Sequence, residues 1–253
     1  MEIKKILYVT DIENPDIIDL DYFIPFRRLG LEEIVLLQRN EEEEMKRRIA
    51  DYGLKCKIII SKGLVLSNIL EAARQESVSI IATKLKRETR TRLGSPVIRK
   101  LLRSSPVPVL IYKGDSEMPR PQEKNLFHHS LFATDWSPVS ERAMNYLIHF
   151  KELIKMLEIV HVINRKLSVR DMRNLKKRLV ETRKLFLEKG VDAEAHVYAG
   201  KPSEEINLAA RDYQATSIVV GTSCKSNFKE IFSRSCAYKV AEDADVPVMV
   251  VGH

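Results

Sequence analysis

The chain repeats itself. ILEAARQESVSIIAT, from Ile69, aligns with INLAARDYQATSIVVGT, from Ile206, once two extra residues are allowed. VPVLIY at 107–112 aligns with VPVMVV at 246–251, and Asp11 aligns with Asp135. So long a period means two similar domains rather than a solenoid, and 253 residues leave room for both. Between the copies, KGDSEMPRPQEKN at 113–125 is polar, carries two prolines and lacks periodicity, which is the composition of a linker. The expected division is a first domain at 1–113, a linker at 114–126 and a second domain at 127–253.

Within each copy, short β-branched runs alternate with helical patterns. Strands are expected at 4–10, 34–38, 57–61, 78–82 and 107–112, then at 130–134, 157–163, 192–198, 218–220 and 246–251. Helices are expected at 16–29, interrupted by Pro25, and at 41–52 and 67–75. Another opens at Pro96 behind the N-cap Ser95, and the second copy adds helices from Ser137-Pro138 to about 155 and at 169–189, 203–213 and 236–243. The order β-α-β-α-β-α-β-α-β, met twice, predicts an α/β protein of two tandem five-stranded parallel sheets with helices on both faces.

In doubly wound sheets ligands lie outside the carboxyl ends of the strands, where the strand order reverses. With five strands the reversal falls between the first and fourth. That sets Asp135 opposite Gly221, Thr222 and Ser235 in the second copy, and Asp11 opposite Ala82-Thr83 and Gly94-Ser95 in the first. Ser235 would stand at a helix N-terminus, where free N–H groups and the helix dipole favour an anion. The last strand of each copy is a short apolar edge candidate. Pairing these two strands across a pseudo-two-fold axis would bury an edge that otherwise invites association. An intrachain pseudo-dimer is therefore expected, with a homodimer as a further possibility.

Other function classes find little support. No apolar run approaches the ~18 residues of a membrane helix, and no charged-then-apolar leader opens the chain. Cys56, Cys224 and Cys236 lack paired spacing, which suits a reduced cytoplasmic compartment. The net charge of +7 permits anion contacts without arguing for nucleic acid. The basic loop KLKRETRTR at 84–92 lacks the interleaved aromatics of a base-stacking surface and reads as a solvated loop. His128, His129 and His161 have no metal-ligand spacing and read as structural. No nucleophile elbow or Walker lysine is present, and no general base is evident, so any ATP hydrolysis would be slow.

The stretch SIVVGTSCKSNFKEIFSRSCAYKVAEDADVPVMVV at 217–251, with LFATDWSPVSERAMN at 131–145, resembles the universal stress protein family. The resemblance extends over nearly the whole chain as two tandem copies. It implies an adenine nucleotide alpha hydrolase-like, Rossmann-like fold and a nucleotide ligand, ATP or AMP, with Mg where ATP binds. By that likeness Thr134 and Asp135 would meet the adenine and ribose, and Val162 would hold the adenine. Gly221 and Thr222 would follow the ribose and phosphates, and Ser235 would cap the phosphates. The family loop reads Gly-x2-Gly-x9-Gly-(Ser/Thr); the same register here reads Gly221, Cys224, Arg234, Ser235. Two glycines that would let backbone approach phosphate are absent, and Arg234, Lys225 and Lys229 would supply side-chain charge instead. The first copy keeps only Gly94-Ser95, with Asp11, as a degenerate second site. The resemblance implies a regulatory nucleotide-binding protein of the stress response. The alternative is a scaffold that has lost the nucleotide and acts through protein contacts.

Overall fold

The computed structural model describes residues 2–9, 22–38, 43–61, 65–85, 96–113, 125–222 and 236–252. The first half contributes β1 (Lys5–Val9), β2 (Glu33–Gln38), α1 (Glu43–Asp51), β3 (Lys55–Ile60), α2 (Leu66–Gln75), β4 (Ile80–Leu85), α3 (Pro96–Ser104) and β5 (Val109–Lys113). The second half contributes β6 (His129–Ala133), α4 (Pro138–His149), β7 (Met156–Ile163), α5 (Val169–Glu188), β8 (Asp192–Ala199), α6 (Pro202–Asp212), β9 (Ser217–Gly221), α7 (Cys236–Asp243) and β10 (Val248–Val251). All strands form one sheet in the order β3-β2-β1-β4-β5-β10-β9-β6-β7-β8. Every pair is parallel except β5 with β10, which are antiparallel. Each half is thus the expected five-stranded parallel unit with its reversal between first and fourth strands. The two apolar end strands do pair with one another.

Alternation along the strands builds two apolar layers. Ile6 and Tyr8 of β1 face one layer, and Leu7 and Val9 face the other. Both layers run across the junction of the halves. In one, Phe26 of the first half packs edge-on against Phe127 and Phe150 of the second, with centroids 5.6 and 5.7 Å apart. All three rings are fully buried. In the other, the Arg99 guanidinium of α3 lies 4.6 Å over the Tyr238 ring of α7.

The helices start where their caps are. Ser137 Oγ accepts from Ser140 N ahead of Pro138. Ser168 and Asp171 form a reciprocal capping box at the head of α5, which buries Leu175, Leu179, Thr182 and Phe186 along one face.

Several bounds differ from expectation. β5 and β10 begin after Pro108 and Pro247, not two residues earlier. Proline has no N–H for the ladder, although the two proline carbonyls accept from Ile81 N and Ile218 N. α4 ends at His149 rather than near residue 155. Phe150 turns into the aromatic cluster, and a short 3-10 turn over Lys151–Leu153 leads to β7. β4 runs on to Leu85, so Lys84 lies on a strand and not in the basic loop. Of the helix expected at 16–29, the described part is a 3-10 segment, Ile24–Leu29, with Pro25 in its first turn.

Because Phe26 reaches across the junction, its loss should loosen the halves from each other as well as open a cavity. Phe26→Ala should cost about 3–5 kcal/mol. By scanning calorimetry it should split one unfolding transition into two; a single transition at an unchanged temperature would show that the cluster does not join the halves.

Candidate functional site

The second-half crevice follows from strand order. β6 lies between β7 and β9, with Ala133 opposite Val160 on one side and Val220 on the other. The chain leaving β6 at Thr134-Asp135 therefore emerges beside the chain leaving β9 at Gly221-Thr222. α7, which begins at Cys236, packs on α6 over the same face of the sheet.

The turn after β6 is held by its own side chains. Thr134 is buried; its Oγ1 lies 2.7 Å from Ser140 Oγ and accepts from Trp136 N at 3.1 Å. Asp135 is exposed, and its Oδ1 accepts from Ser137 N at 2.9 Å, the hydrogen bond of a helix-entry turn. Among the described residues its Oδ2 makes no hydrogen bond. Val162 is half-buried and packs with the α6/α7 layer.

At Gly221 an added Cβ would stand 2.9 Å from Ser140 N and 3.0 Å from the Val139 carbonyl carbon. The backbone of the first turn of α4 is laid against this residue, so helix packing requires glycine here whatever a ligand requires. Thr222 is buried, and its N–H donates to Val251 O at 2.8 Å, continuing the ladder towards β10. Arg234 and Ser235, with Cys224, Lys225 and Lys229, lie outside the described residues. So do Asp11, Gly94 and Ser95 of the first half.

Two arrangements were not foreseen. Trp136 sits at φ 55°, a left-handed backbone that a bulky residue adopts at a cost. Its Nε1 donates to Thr182 Oγ1 of α5 at 3.0 Å, and its ring lies 4.7 Å from the His161 ring. His161 Nδ1 lies 2.8 Å from Thr134 O, tying the same turn to β7. Beneath α6, the buried Glu158 carboxylate bridges His129 Nε2 at 2.8 Å and His196 Nε2 at 2.6 Å. His196 in turn meets the Tyr213 hydroxyl at 3.0 Å. The one sequence signal for this chain of hydrogen bonds is a glutamate inside the apolar run of β7. Each short contact joins two side chains directly, and among the described residues no group of acids, histidines or cysteines could hold a metal ion. No described helix is long and apolar enough to cross a membrane.

Against known proteins, residues 127–252 match the sequence model of the universal stress protein family. The chain is 29% identical over 147 residues to the universal stress protein YxiE of Bacillus subtilis, covering 50% of this chain and 99% of the other. A crystal structure of a universal stress protein from Archaeoglobus fulgidus overlays 100% of this chain and 97% of its own, with a TM-score of 0.76 at 23% identity, a likeness of fold. A further universal stress protein from Archaeoglobus fulgidus is solved in complex with dAMP. It covers 50% of this chain at 20% identity and a TM-score of 0.40, and the ligand is a fact about that protein.

Two outcomes test this geometry. Gly221→Ala should push α4 outward and destabilise the fold by about 1–3 kcal/mol in a denaturant titration with no nucleotide present. Stability equal to the parent would mean that α4 does not need the glycine. Cys236 is exposed at the start of α7, yet its thiol is pushed up to about 11, first by desolvation among the surrounding groups and then by the negative charge of Asp135. At pH 8 its thiolate fraction is on the order of one part in a thousand, so alkylation mapped by mass spectrometry should be slow and should accelerate as pH rises towards 11. Asp135→Asn removes the raising charge, lowers the thiol's pKa and should speed alkylation of Cys236 at pH 8. An unchanged rate would separate the two side chains.

Proposed function

The chain belongs to the universal stress protein family, and we propose that its second half binds an adenine nucleotide at the β6–β9 crevice and works as a nucleotide-sensing regulatory protein. The observation that carries this reading is Asp135. It stands at the strand reversal, exposed, with one oxygen anchoring the turn to Ser137 N and the other unbonded among the described residues. A carboxylate held in this way suits paired ribose hydroxyls, which donate two hydrogen bonds to one acidic group. Val162, half-buried on the α6/α7 side, is the apolar surface for the base. These residues fit the nucleoside end of the ligand. The phosphate end, which we assign to Arg234 and Ser235 with Mg accompanying ATP, rests on the family resemblance. No residue is assigned a catalytic role.

A scaffold that has given up the nucleotide is the second reading, and a specific observation favours it. Gly221 is already required by α4, the Thr222 N–H is already spent on Val251 O, and Asp135 already caps a helix entry. These three groups are thus already used within the fold.

Thermal melts with AMP and with ATP plus Mg separate the two. A ligand at 100 times its dissociation constant should add about 2.7 kcal/mol, a rise of roughly 5 °C or more for a chain of this size. Asp135→Asn keeps an oxygen for Ser137 N, so the unliganded melting temperature should hold, while the nucleotide affinity should fall about tenfold or more. No shift at millimolar nucleotide would favour the scaffold.

A further inference from the structure

A dense run of positive charge lies on and beside one helix. Between Arg165 and Lys189 basic side chains exceed acidic ones by seven, as much as the net +7 of the whole chain. α5 fills most of this segment and is held to the sheet by Leu175, Leu179 and Phe186. Its outer side is not wholly polar. Val169 is 72% exposed, Met172 36%, Val180 65% and Leu187 41%. From Val169 to Val180 is three helical turns and from Val180 to Leu187 two, so these side chains form a line about 27 Å long. Arg173 and Lys176 lie along it, exposed and, among the described residues, with no ion pair. Lys177 and Lys184 are engaged only by the surface carboxylates Glu181 and Glu188, at 3.7 and 3.6 Å, contacts worth little in water.

We propose that this face of α5 docks an acidic amphipathic helix of a partner protein. Four aliphatic side chains in line, flanked by cations, match a helix that presents aliphatic residues at every third or fourth position with carboxylates on either side. About five turns of such a helix would cover the line. The alternatives fit less well. Another copy of α5 would bring like charges together. A nucleic acid would lay phosphates over Val180 and Leu187 and find no exposed aromatic ring on the helix for its bases. An anionic bilayer would find no aromatic side chain on the line to sit at the headgroups. The surface is separate from the nucleotide crevice, and its test does not depend on nucleotide binding.

The experiment uses the full chain and a labelled 20-residue designed helix, leucine on one face and glutamate beside it, followed by fluorescence anisotropy at physiological salt. A peptide of the same composition in scrambled order, phosphatidylglycerol vesicles and a duplex oligonucleotide are run alongside. The amphipathic peptide should bind at micromolar concentration, at least tenfold more tightly than the scrambled one, and more weakly as salt rises. The double variant Arg173→Glu with Lys176→Glu, and separately Val180→Asp, should each weaken it about tenfold at an unchanged melting temperature. Equal binding of the scrambled peptide would reduce the surface to net charge and overturn the proposal. So would binding of vesicles or duplex in preference to the peptide, or no peptide binding at all. The comparison of peptides on the parent protein stands even if a variant fails to fold.

Discussion

The pairing of β5 with β10 is the contact on which the rest of the molecule depends. Each half ends in a short apolar strand whose outer N–H and C=O groups would otherwise face water or another chain. Three residue pairs, Val109 with Val250, Leu110 with Met249 and Ile111 with Val248, close both edges at once. Because this pair is antiparallel while all others are parallel, the strands of the two halves run in opposite directions. The carboxyl ends of the first half's strands therefore lie at the opposite border of the sheet from those of the second. The free edges of the full sheet become β3 and β8, and each is flanked by a charged helix, α1 or α5.

Much of this was written in the sequence, because duplication is a strong constraint. Two alignable copies of one α/β pattern leave few topologies, and the VPV runs that lead into the end strands mark where the copies meet. What escaped was long-range. Phe26 lies in a stretch whose helical pattern Pro25 breaks, and nothing local says that its ring will meet Phe127 and Phe150. The end of α4 depends on the same cluster, since Phe150 stops the helix by being buried. Glu158 is a single acidic residue inside the apolar run of β7, and its histidine partners are 29 and 38 residues away.

The candidate site was legible to a similar depth. Topology alone put Asp135 beside Gly221, and the sheet does so. It gave no warning that α4 would lie against the glycine, because that approach is set by helix packing rather than by strand order. A glycine at a strand end thus carried two explanations from the start, and the one visible without a ligand is the packing of α4. The same limit applies to Asp135, whose helix-entry hydrogen bond and proposed ligand contact use different oxygens of one carboxyl group and so do not compete.

Trp136 shows how the crevice is tied to the flank of the molecule. A left-handed tryptophan is costly by roughly 1–3 kcal/mol, and within the turn one hydrogen bond, Trp136 N to Thr134 Oγ1, works against this cost. Further compensation lies elsewhere: a buried threonine of α5 accepts the indole N–H, and the ring rests on His161, which also holds Thr134 O. The backbone that aims Asp135 is therefore set by contacts on the inner face of α5 and the end of β7, on the far side of the sheet from α6 and α7. Were α5 to shift on the sheet, the tryptophan would lose part of what offsets its strain, and the turn would relax towards an ordinary backbone with Asp135 aimed elsewhere. The geometry of the crevice mouth is thus conditional on the seating of α5, a helix whose outer face is rich in exposed cations.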